Sequence, residues 1–137
     1  MALKKKGFMK SYTVVKGLKF AIEWYVDQKG YSQPFEYFEE SSAAQQDKAL
    51  ALFKFMANHG RIFNKTKFNN EGDDIYAFKI NQDRYACFFF KGGKIIIANA
   101  FIKKSPKIPP REKERALKTL NDYVKRVKEG TYYEEEN

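Results

Sequence analysis

Residues 75–102, IYAFKINQDRYACFFFKGGKIIIANAFI, contain three apolar runs separated by short polar connections. Each run is too short for a typical helix and is rich in aromatic and β-branched residues, which favour strands. Gly92 and Gly93 are a strong hairpin signal between the second run and the third. Three strands joined by such short turns predict an antiparallel meander. The third run, Lys94–Ile102, is rich in isoleucine, so we expect it at the centre of the sheet.

Helical patterns flank this meander. Pro34 suits the first turn of a helix, and Ser32 stands where its side chain can cap that turn. Apolar residues recur at helical spacing over Ala43–Ala57 and over Arg111–Val127. Gly60 follows the second of these helices as a stop signal, because glycine readily takes the left-handed conformation. The sequence thus predicts one short helix and two longer ones.

An opening strand is predicted over Leu18–Val26, with Leu18 and Trp24 on its buried face and Glu23 on its exposed face. The polar stretch Asn64–Asp74 is predicted to be a loop. The resulting order of elements is β-α-α-β-β-β-α. Strands in a block after helices indicate an α+β fold, in which a twisted antiparallel sheet packs against helices.

The chain has 137 residues, enough for one domain. We expect that domain over residues 18–128, between a basic N-terminal extension over 1–17 and an acidic tail over 129–137. The formal net charge is +9. Such a surplus favours a polyanionic partner such as RNA or DNA, and a simple contribution to solubility is the alternative.

The sequence also excludes some classes of protein. Cys87 is the single cysteine, so an internal disulfide is impossible, and its apolar neighbours predict a core residue. One cysteine and one histidine cannot form an ordinary metal site, and we expect neither metal nor cofactor. The apolar runs are far shorter than the roughly 18 residues needed to cross a membrane. The N-terminus lacks the apolar segment of a secretory signal, which predicts a cytoplasmic protein without membrane contact.

One segment is distinctive. Residues 101–112 read FIKKSPKIPPRE and run into ERAL at 114–117. They resemble the F-x-K-K-T-x-K-T-P-x-R-E box, followed by x-R-A-L, of the RelE/HigB-type toxin superfamily, in its HigB-like branch with phage-encoded members. Weaker similarities to that branch occur in the same order at 22–34, 51–61 and 76–85. Together the resemblance covers residues 18–127.

The resemblance implies a RelE-like fold and a particular activity. Proteins of this kind are toxins of type II toxin–antitoxin systems, and they are endoribonucleases that cut messenger RNA, usually on the ribosome. The implied partners are therefore mRNA on the ribosome and a small antitoxin, here a HigA-like helix-turn-helix protein. A phage-derived origin is implied as well.

Metal-independent cleavage of RNA can use the neighbouring 2′-OH as the nucleophile, and it needs a proton acceptor, cations for the phosphate and a proton donor. Basic side chains in the resembling segments are the candidates. Our hypothesis is that Lys79 or Lys104 transfers the proton, while Arg84 and Arg111 hold phosphate. The expected catalytic residues are Lys79, Arg84, Lys103 and Lys104, and the expected RNA-binding residues are Lys107, Arg111, Asn99 and Tyr76.

The sequence departs from the family pattern at Asn99, because many HigB-like relatives carry a histidine before the phenylalanine of the box. Asparagine can hydrogen-bond but cannot transfer a proton at neutral pH. Some other relatives use a C-terminal tyrosine, and Tyr132 or Tyr133 could reach the site, whereas Tyr123 lies on an apolar stripe typical of a core. Two other functions therefore stay open: a non-catalytic nucleic-acid-binding protein, and a phage accessory protein on the same fold.

Overall fold

The computed structural model describes residues 12–133. Within this range the chain forms six strands and three helices, and the α+β fold class is confirmed. The predicted order recurs, with one additional strand before the opening strand and another before the meander. In chain order the elements are β1 (Thr13–Lys16), β2 (Ala21–Trp24), α1 (Gln33–Glu40), α2 (Ala43–His59), β3 (Phe68–Gly72), β4 (Ile75–Ile80), β5 (Asp83–Phe90), β6 (Lys94–Ile102) and α3 (Pro110–Lys128).

All six strands of the described range join one sheet, in the order β1-β2-β6-β5-β4-β3. The isoleucine-rich β6 lies inside the sheet, as predicted. Four of the five strand pairings are antiparallel, and β2 pairs with β6 in parallel. The parallel pair arises because the chain passes through α1, α2 and three strands between β2 and β6, so the two strands are not joined by a hairpin.

The two additional strands lie at opposite edges of the sheet. β1 lies within the segment expected as an N-terminal extension, and β3 lies within the expected polar loop, so each segment contains a short strand that the sequence did not predict. Edge strands are held mainly by main-chain pairing to one neighbour, and polar residues there are common. Residues 1–11 of the expected extension and 134–137 of the expected tail lie outside the described residues.

The strand β2 is shorter than predicted, and two of its side chains differ from expectation. Leu18 is 88 % exposed, since the chain turns to meet α2 first: the N–H groups of Lys19 and Phe20 both donate to the carbonyl of Ala57, at 2.8 and 2.9 Å. Glu23 is only 6 % exposed. Its face of the sheet is covered by α3 and by the chain that follows it, so the expected exposed face is a second buried face.

The three helices begin and end where the sequence signals lie. Ser32 caps α1 and accepts the N–H of Phe35, and Pro34 lies in its first turn. The helix α2 ends at His59, and Gly60 caps it with a left-handed φ of 74°. The helix α3 begins at Pro110, as predicted. No helix in residues 12–133 is both long enough and apolar enough to cross a membrane.

Helices cover both faces of the sheet, which gives two cores. The first core lies between the sheet and helices α1 and α2, where Phe53 of α2 packs on Trp24 and Phe78. The second core lies between the sheet and α3, where Tyr123 packs on Phe88. Cys87 is fully buried in the first core, as predicted, and burial raises the pKa of its thiol.

A β-bulge in β6 changes which residues face each core. Ala86 of β5 pairs with Asn99, and the next residue of β5, Cys87, pairs with Ile97, so Ala98 is an extra residue in β6. Before the bulge, odd-numbered residues such as Ile97 face the first core. After the bulge, odd-numbered residues face the opposite side of the sheet, so Phe101 faces the second core. Asn99 is turned toward α3 by the same shift.

The chain after α3 returns to the sheet. Tyr132 is 2 % exposed, and its hydroxyl accepts the N–H of Val26 at 2.9 Å. The hydroxyl of Tyr133 donates to Oε1 of Glu23 at 2.7 Å and accepts from Nζ of Lys94 at 2.8 Å. The beginning of the expected acidic tail is therefore part of the second core.

Gly17→Ala tests the close approach of the chain to the end of α2. A Cβ atom at residue 17 would lie 2.4 Å from the backbone carbonyl carbon of Ala57. The backbone must shift to admit it, so we expect the free energy of unfolding to fall by about 1–3 kcal/mol. Urea denaturation of both proteins measures the change. Where there is no clash and φ is negative, Gly→Ala instead stabilises a protein by about 0.4–1 kcal/mol; a raised urea midpoint would therefore refute the close approach.

Candidate nucleic-acid interface

Strand pairing places three residues side by side on the face of the sheet that α3 covers. Lys79 pairs with Arg84 across β4 and β5, and Arg84 pairs with Phe101 across β5 and β6. Directly paired residues of antiparallel strands share one face of the sheet, and Phe101 belongs to the second core. The two cations that the sequence singled out on these strands are thus neighbours. We call Lys79, Arg84 and Phe101 the basic row.

Arg84 is half-buried and held in a fixed orientation. Its Nη1 donates to the carbonyls of Asn81 and Asp83, at 2.8 and 2.9 Å. A guanidinium has five N–H donors, and within residues 12–133 the other three have no hydrogen-bond acceptor. Partial burial lowers the pKa of Arg84, against the opposing effect of the Glu71 and Asp83 carboxylates. The group still keeps its charge at neutral pH, so it can offer a phosphate two parallel hydrogen bonds.

The turn that holds Arg84 is fixed from the opposite face. Asp83 accepts the hydroxyl of Tyr37 at 2.6 Å and Nε2 of Gln45 at 2.9 Å. Oε1 of Gln45 in turn accepts Nδ2 of Asn81 at 2.6 Å. Helices α1 and α2 therefore hold both ends of the β4–β5 turn. Burial and the hydrogen bond to Asp83 raise the pKa of Tyr37, so this phenol stays a hydrogen-bond donor.

Asn99 is the most unusual polar side chain of this face. It is only 5 % exposed. Its Nδ2 donates to the carbonyl of Glu112 at 3.2 Å and to Oε1 of the same residue at 3.1 Å. Among residues 12–133, Oδ1 of Asn99 is a buried acceptor without a hydrogen-bond partner. Such an atom costs about 1–3 kcal/mol, which a bound donor would recover.

The position of Asn99 relative to the basic row follows from the strand register. Asn99 pairs with Ala86, which lies two residues along β5 from Arg84. Two residues of a strand span about 7 Å. The backbone positions of Asn99 and Arg84 are therefore separated by about one strand spacing and two residues on the same face of the sheet.

A side chain of α1 holds the backbone beside Asn99. The parallel pairing of β2 with β6 ends at Ile97, so the next residues of β6 have no strand on that side. Gln33 takes the place of a strand there. Its Nε2 donates to the carbonyl of Ala100 and its Oε1 accepts the N–H of Ala100, both at 2.8 Å. The chain on either side of Ala100 is thereby fixed in the bulged conformation.

The lysine-rich loop leaves β6 next to the β4–β5 turn. The N–H of Lys103 donates to the carbonyl of Gln82 at 2.7 Å, which ties the start of the loop to the turn that holds Arg84. Lys104, Lys107 and Arg111 are exposed on this loop and on the first turn of α3. The structure thus gathers Lys79, Arg84, Lys103 and Asn99, and leaves the other three cations at the surface beside them.

Some predicted residues lie elsewhere. Tyr76 stacks on Phe68 at 5.6 Å and packs against the first core, so it lies on the opposite face of the sheet from Asn99. Tyr123 is fully buried in the second core, where its hydroxyl lies 2.6 Å from that of Tyr133. Burial raises the pKa of Tyr123 to about 12. Because Tyr133 also contacts Lys94, at the other end of β6 from Phe101, these tyrosines do not join the basic row.

Glu112 also belongs to this site, although the sequence does not predict it as a site residue. Its side chain is 16 % exposed, and its carboxylate contacts Asn99 on one oxygen and Arg115, at 3.5 Å, on the other. An acidic residue in the first turn of a helix is ordinarily explained by the helix dipole, so the sequence alone did not distinguish Glu112 from the exposed Glu114. In the described part of the chain, no group of three or more His, Cys, Asp or Glu side chains is placed to hold a metal ion.

Comparison with known families agrees with this geometry. The model of the family described as "Phage derived protein Gp49-like (DUF891)" matches residues 36–121, more than half of the chain. The chain therefore belongs to the Gp49-like family of phage-derived proteins, which is a RelE/HigB-like, toxin-type family. The matched range includes the basic row, Asn99 and Glu112. No curated protein matches the chain.

Gln33→Ala tests whether α1 fixes the bulged part of β6. The N–H and carbonyl of Ala100 would both lose their partner, and we expect the free energy of unfolding to fall by about 1–3 kcal/mol. Gln82→Ala is the matched control, because that side chain is exposed and its loss is expected to change stability by less than about 0.5 kcal/mol. Urea denaturation compares the two variants. Equal midpoints would show that Gln33 does not hold β6.

Proposed function

We propose that this protein is the toxin of a type II toxin–antitoxin system, in the HigB-like branch, and that it cuts mRNA at the basic row. The single observation that carries the proposal is the unpaired, buried Oδ1 of Asn99. Nδ2 of the same amide donates to the carboxylate of Glu112, and Asn99 is on the same face of the sheet as Arg84. The unpaired oxygen of Asn99 and the carboxylate of Glu112 are suited to a ribose. The three N–H donors of Arg84 that remain free are suited to the 3′-phosphate of that ribose.

The unpaired hydrogen-bond acceptor of Asn99 favours RNA over DNA as the ligand. Its unpaired oxygen is an acceptor, so a ligand that reaches it, once the side chains covering it have shifted, must bring a donor. The ribose 2′-OH is such a donor, and DNA lacks it. The same contact holds the 2′-oxygen next to the 3′-phosphate that it attacks. In this proposal Asn99 positions the nucleophile and does not take its proton.

Glu112 is the proposed proton acceptor. A carboxylate is ionised at neutral pH, whereas a lysine is protonated unless its pKa is strongly depressed. The proposal therefore moves the acceptor role away from Lys79 and Lys104. The 2′-OH proton passes to Glu112 as the 2′-oxygen bonds to phosphorus, and the bond from phosphorus to the 5′-oxygen breaks. The ammonium of Lys79 gives its proton to the leaving 5′-oxygen, so the products are a 2′,3′-cyclic phosphate and a 5′-hydroxyl.

Several groups could hold the phosphate during this step. Arg84 offers a guanidinium with three free donors, and Lys103 starts the adjacent loop. The helix α3 begins without a side-chain cap, and free N–H groups in a first helical turn bind phosphate well. These donors are placed before the substrate arrives, which is the condition for effective electrostatic stabilisation.

The surrounding surface supports mRNA on the ribosome as the target. The net charge is +9, and exposed Lys104, Lys107 and Arg111 surround the site. A toxin of this kind also needs an antitoxin, for which the family membership is the support. An mRNA target further implies action in the cytoplasm.

A second candidate is a non-catalytic RNA-binding protein on the same fold. The observation in its favour is the amide of Asn99 at the position where many relatives carry histidine. In that case the same groups would bind RNA without cutting it. The two candidates differ in a single readout, the appearance of new RNA ends.

The combined variant Lys79→Ala, Arg84→Ala, Lys103→Ala and Lys104→Ala tests the proposed site. We expect the wild-type protein, incubated with translating ribosomes, to produce mRNA fragments ending in a 2′,3′-cyclic phosphate and a 5′-hydroxyl. The variant is expected to lose at least about 100-fold of this activity. Primer extension and end-specific ligation measure both.

The matched control for that variant replaces Lys29, Lys118, Lys125 and Lys128 by alanine, four exposed lysines that are not part of the basic row or of the loop after β6. It loses the same net charge and is expected to keep cleavage within about threefold of wild type. Equal loss in the two variants would mean that bulk charge, not the site, matters. RNA binding without new ends in the wild type would select the non-catalytic protein.

Glu112→Gln separates the proton acceptor from RNA binding. The amide keeps the shape of the side chain but cannot take the 2′-OH proton, so we expect cleavage to fall by about 100-fold or more with RNA affinity unchanged. Glu114→Gln, the exposed acid two residues away, is the control and should cut normally. Single-turnover rates and RNA binding titrations distinguish the two effects. Wild-type cleavage by Glu112→Gln would return the acceptor role to a lysine.

A further inference from the structure

A large groove lies on the side of the molecule where α2 covers the sheet. It runs between α2, the segment after Gly60 and the end of β4, and its volume is about 1290 Å³. We call it the α2 groove. Its apolar lining comprises Phe20, Ala51, Leu52, Phe55, Ile62, Phe63 and Ile80. It is on the opposite face of the sheet from Asn99, because α2 packs on the first core.

Large apolar side chains at this groove are unusually exposed. Phe63 is 82 % exposed and Phe55 is 49 % exposed. Leu18, next in the chain to the lining residue Lys19, is 88 % exposed. Single exposed apolar residues are ordinary, but a cluster of them marks an interaction surface. The two phenylalanines are supported by neighbours, Phe55 by the ring of His59 at 4.3 Å and Phe63 by the guanidinium of Arg61 at 5.3 Å.

The charged residues around the groove all have one sign. Five cations line it, and no carboxylate occurs among its described lining residues: Lys19, Lys48, Arg61, Lys67 and Lys79, the last of which also belongs to the basic row. Five cations around an apolar floor complement a ligand with an apolar face and negative charges at its margins. A second copy of this chain would bring five more cations and would be repelled.

The size and shape of the groove fit a helix. Pockets for small molecules usually have volumes of about 300–1,000 Å³, which the α2 groove exceeds. The lining residues of α2 run from Lys48 to His59, which gives the groove a wall about 18 Å long. An amphipathic helix places apolar side chains at positions i, i+3, i+4 and i+7 along one face, and such helices bind in apolar grooves of this kind. The aliphatic floor at Leu52, Ile62 and Ile80 suits those side chains better than it suits stacked bases.

The remaining segments of this chain do not match the groove. Residues 1–11 contain four lysines and no acidic residue, so they share its charge. Residues 134–137 are acidic but lack apolar side chains. They also follow Tyr133, which packs on the opposite face of the sheet, and four residues span at most about 14 Å. The occupant must therefore come from another protein.

We propose that the α2 groove binds an acidic amphipathic helix of a partner protein. Its apolar face packs on Phe55, Phe63 and Leu52, and its carboxylates pair with Lys48 and Arg61. The inference goes beyond the proposed nuclease and does not rest on it. The groove shares Lys79 with the basic row, but Lys48, Arg61 and Phe63 line only the groove. Variants of these three residues therefore test peptide binding without altering the basic row, and RNA cleavage is measured in a separate assay.

A display library tests this proposal with the full-length chain. Each member is a 16-residue helix in which the apolar face is Leu, Ile or Ala and every other position is Glu or Lys. We expect the selected helices to be rich in glutamate. Their binding to the protein, measured by fluorescence anisotropy, should weaken at least tenfold with Phe63→Ser and should be lost with Lys48→Glu combined with Arg61→Glu. The charge-reversed protein should instead select lysine-rich helices.

Val124→Ser is the matched control, because Val124 is an apolar residue of α3 that is 39 % exposed and lies away from the groove. It should bind the selected helices as the wild type does. Selection of no helix above background, or of helices that bind both groove variants normally, would overturn the proposal. So would displacement of the selected helix by a 12-nucleotide single-stranded RNA, since the groove would then be a nucleic-acid surface.

Discussion

The extra residue at Ala98 in β6 is the constraint on which both faces of the molecule depend. Residues 95–101 of β6 are buried on both sides of the sheet, so each of them must suit one core or the other. The bulge reverses this assignment within one strand. Without it, Asn99 would point into the aromatic first core, where a polar amide has no partner. With it, Asn99 lies against α3 and close to Arg84, and Ala100 is left for Gln33 to hold. Bulges commonly redirect side chains at functional sites in this way.

The sequence predicts most elements well, because their signals are local. The apolar stripe of α2, the cap at Ser32 and the left-handed Gly60 depend only on nearby residues. The two edge strands lacked such signals, since main-chain pairing to a neighbour holds them. The parallel pairing of β2 with β6 also has no local cause. The bulge is hidden for a different reason: Ala98 and Ala100 are both small and apolar, so shifting the register by one residue leaves the hydropathy pattern almost unchanged.

The candidate site could be predicted only in part. The short β4–β5 turn is enough to bring Lys79 beside Arg84, and the structure confirms that they are neighbours. The same alternation of strand residues separates Tyr76 from Lys79, three positions later, and places them on opposite faces. Glu112 needed the structure, because only the packing of α3 on the bulge shows that its carboxylate meets Asn99. A contact between a helix and a strand thirteen residues apart leaves no periodic trace in the sequence.

Cys87 gives the molecule a built-in reporter of its own opening. It is the single thiol of the chain, and it is fully buried on an inner strand, beneath α2. A thiol reagent cannot reach it until the sheet and the helix separate, and burial also keeps it protonated and unreactive until then. The rate of its labelling in native buffer therefore measures how often the first core opens. No engineered probe is needed to ask whether a ligand on either face slows that opening.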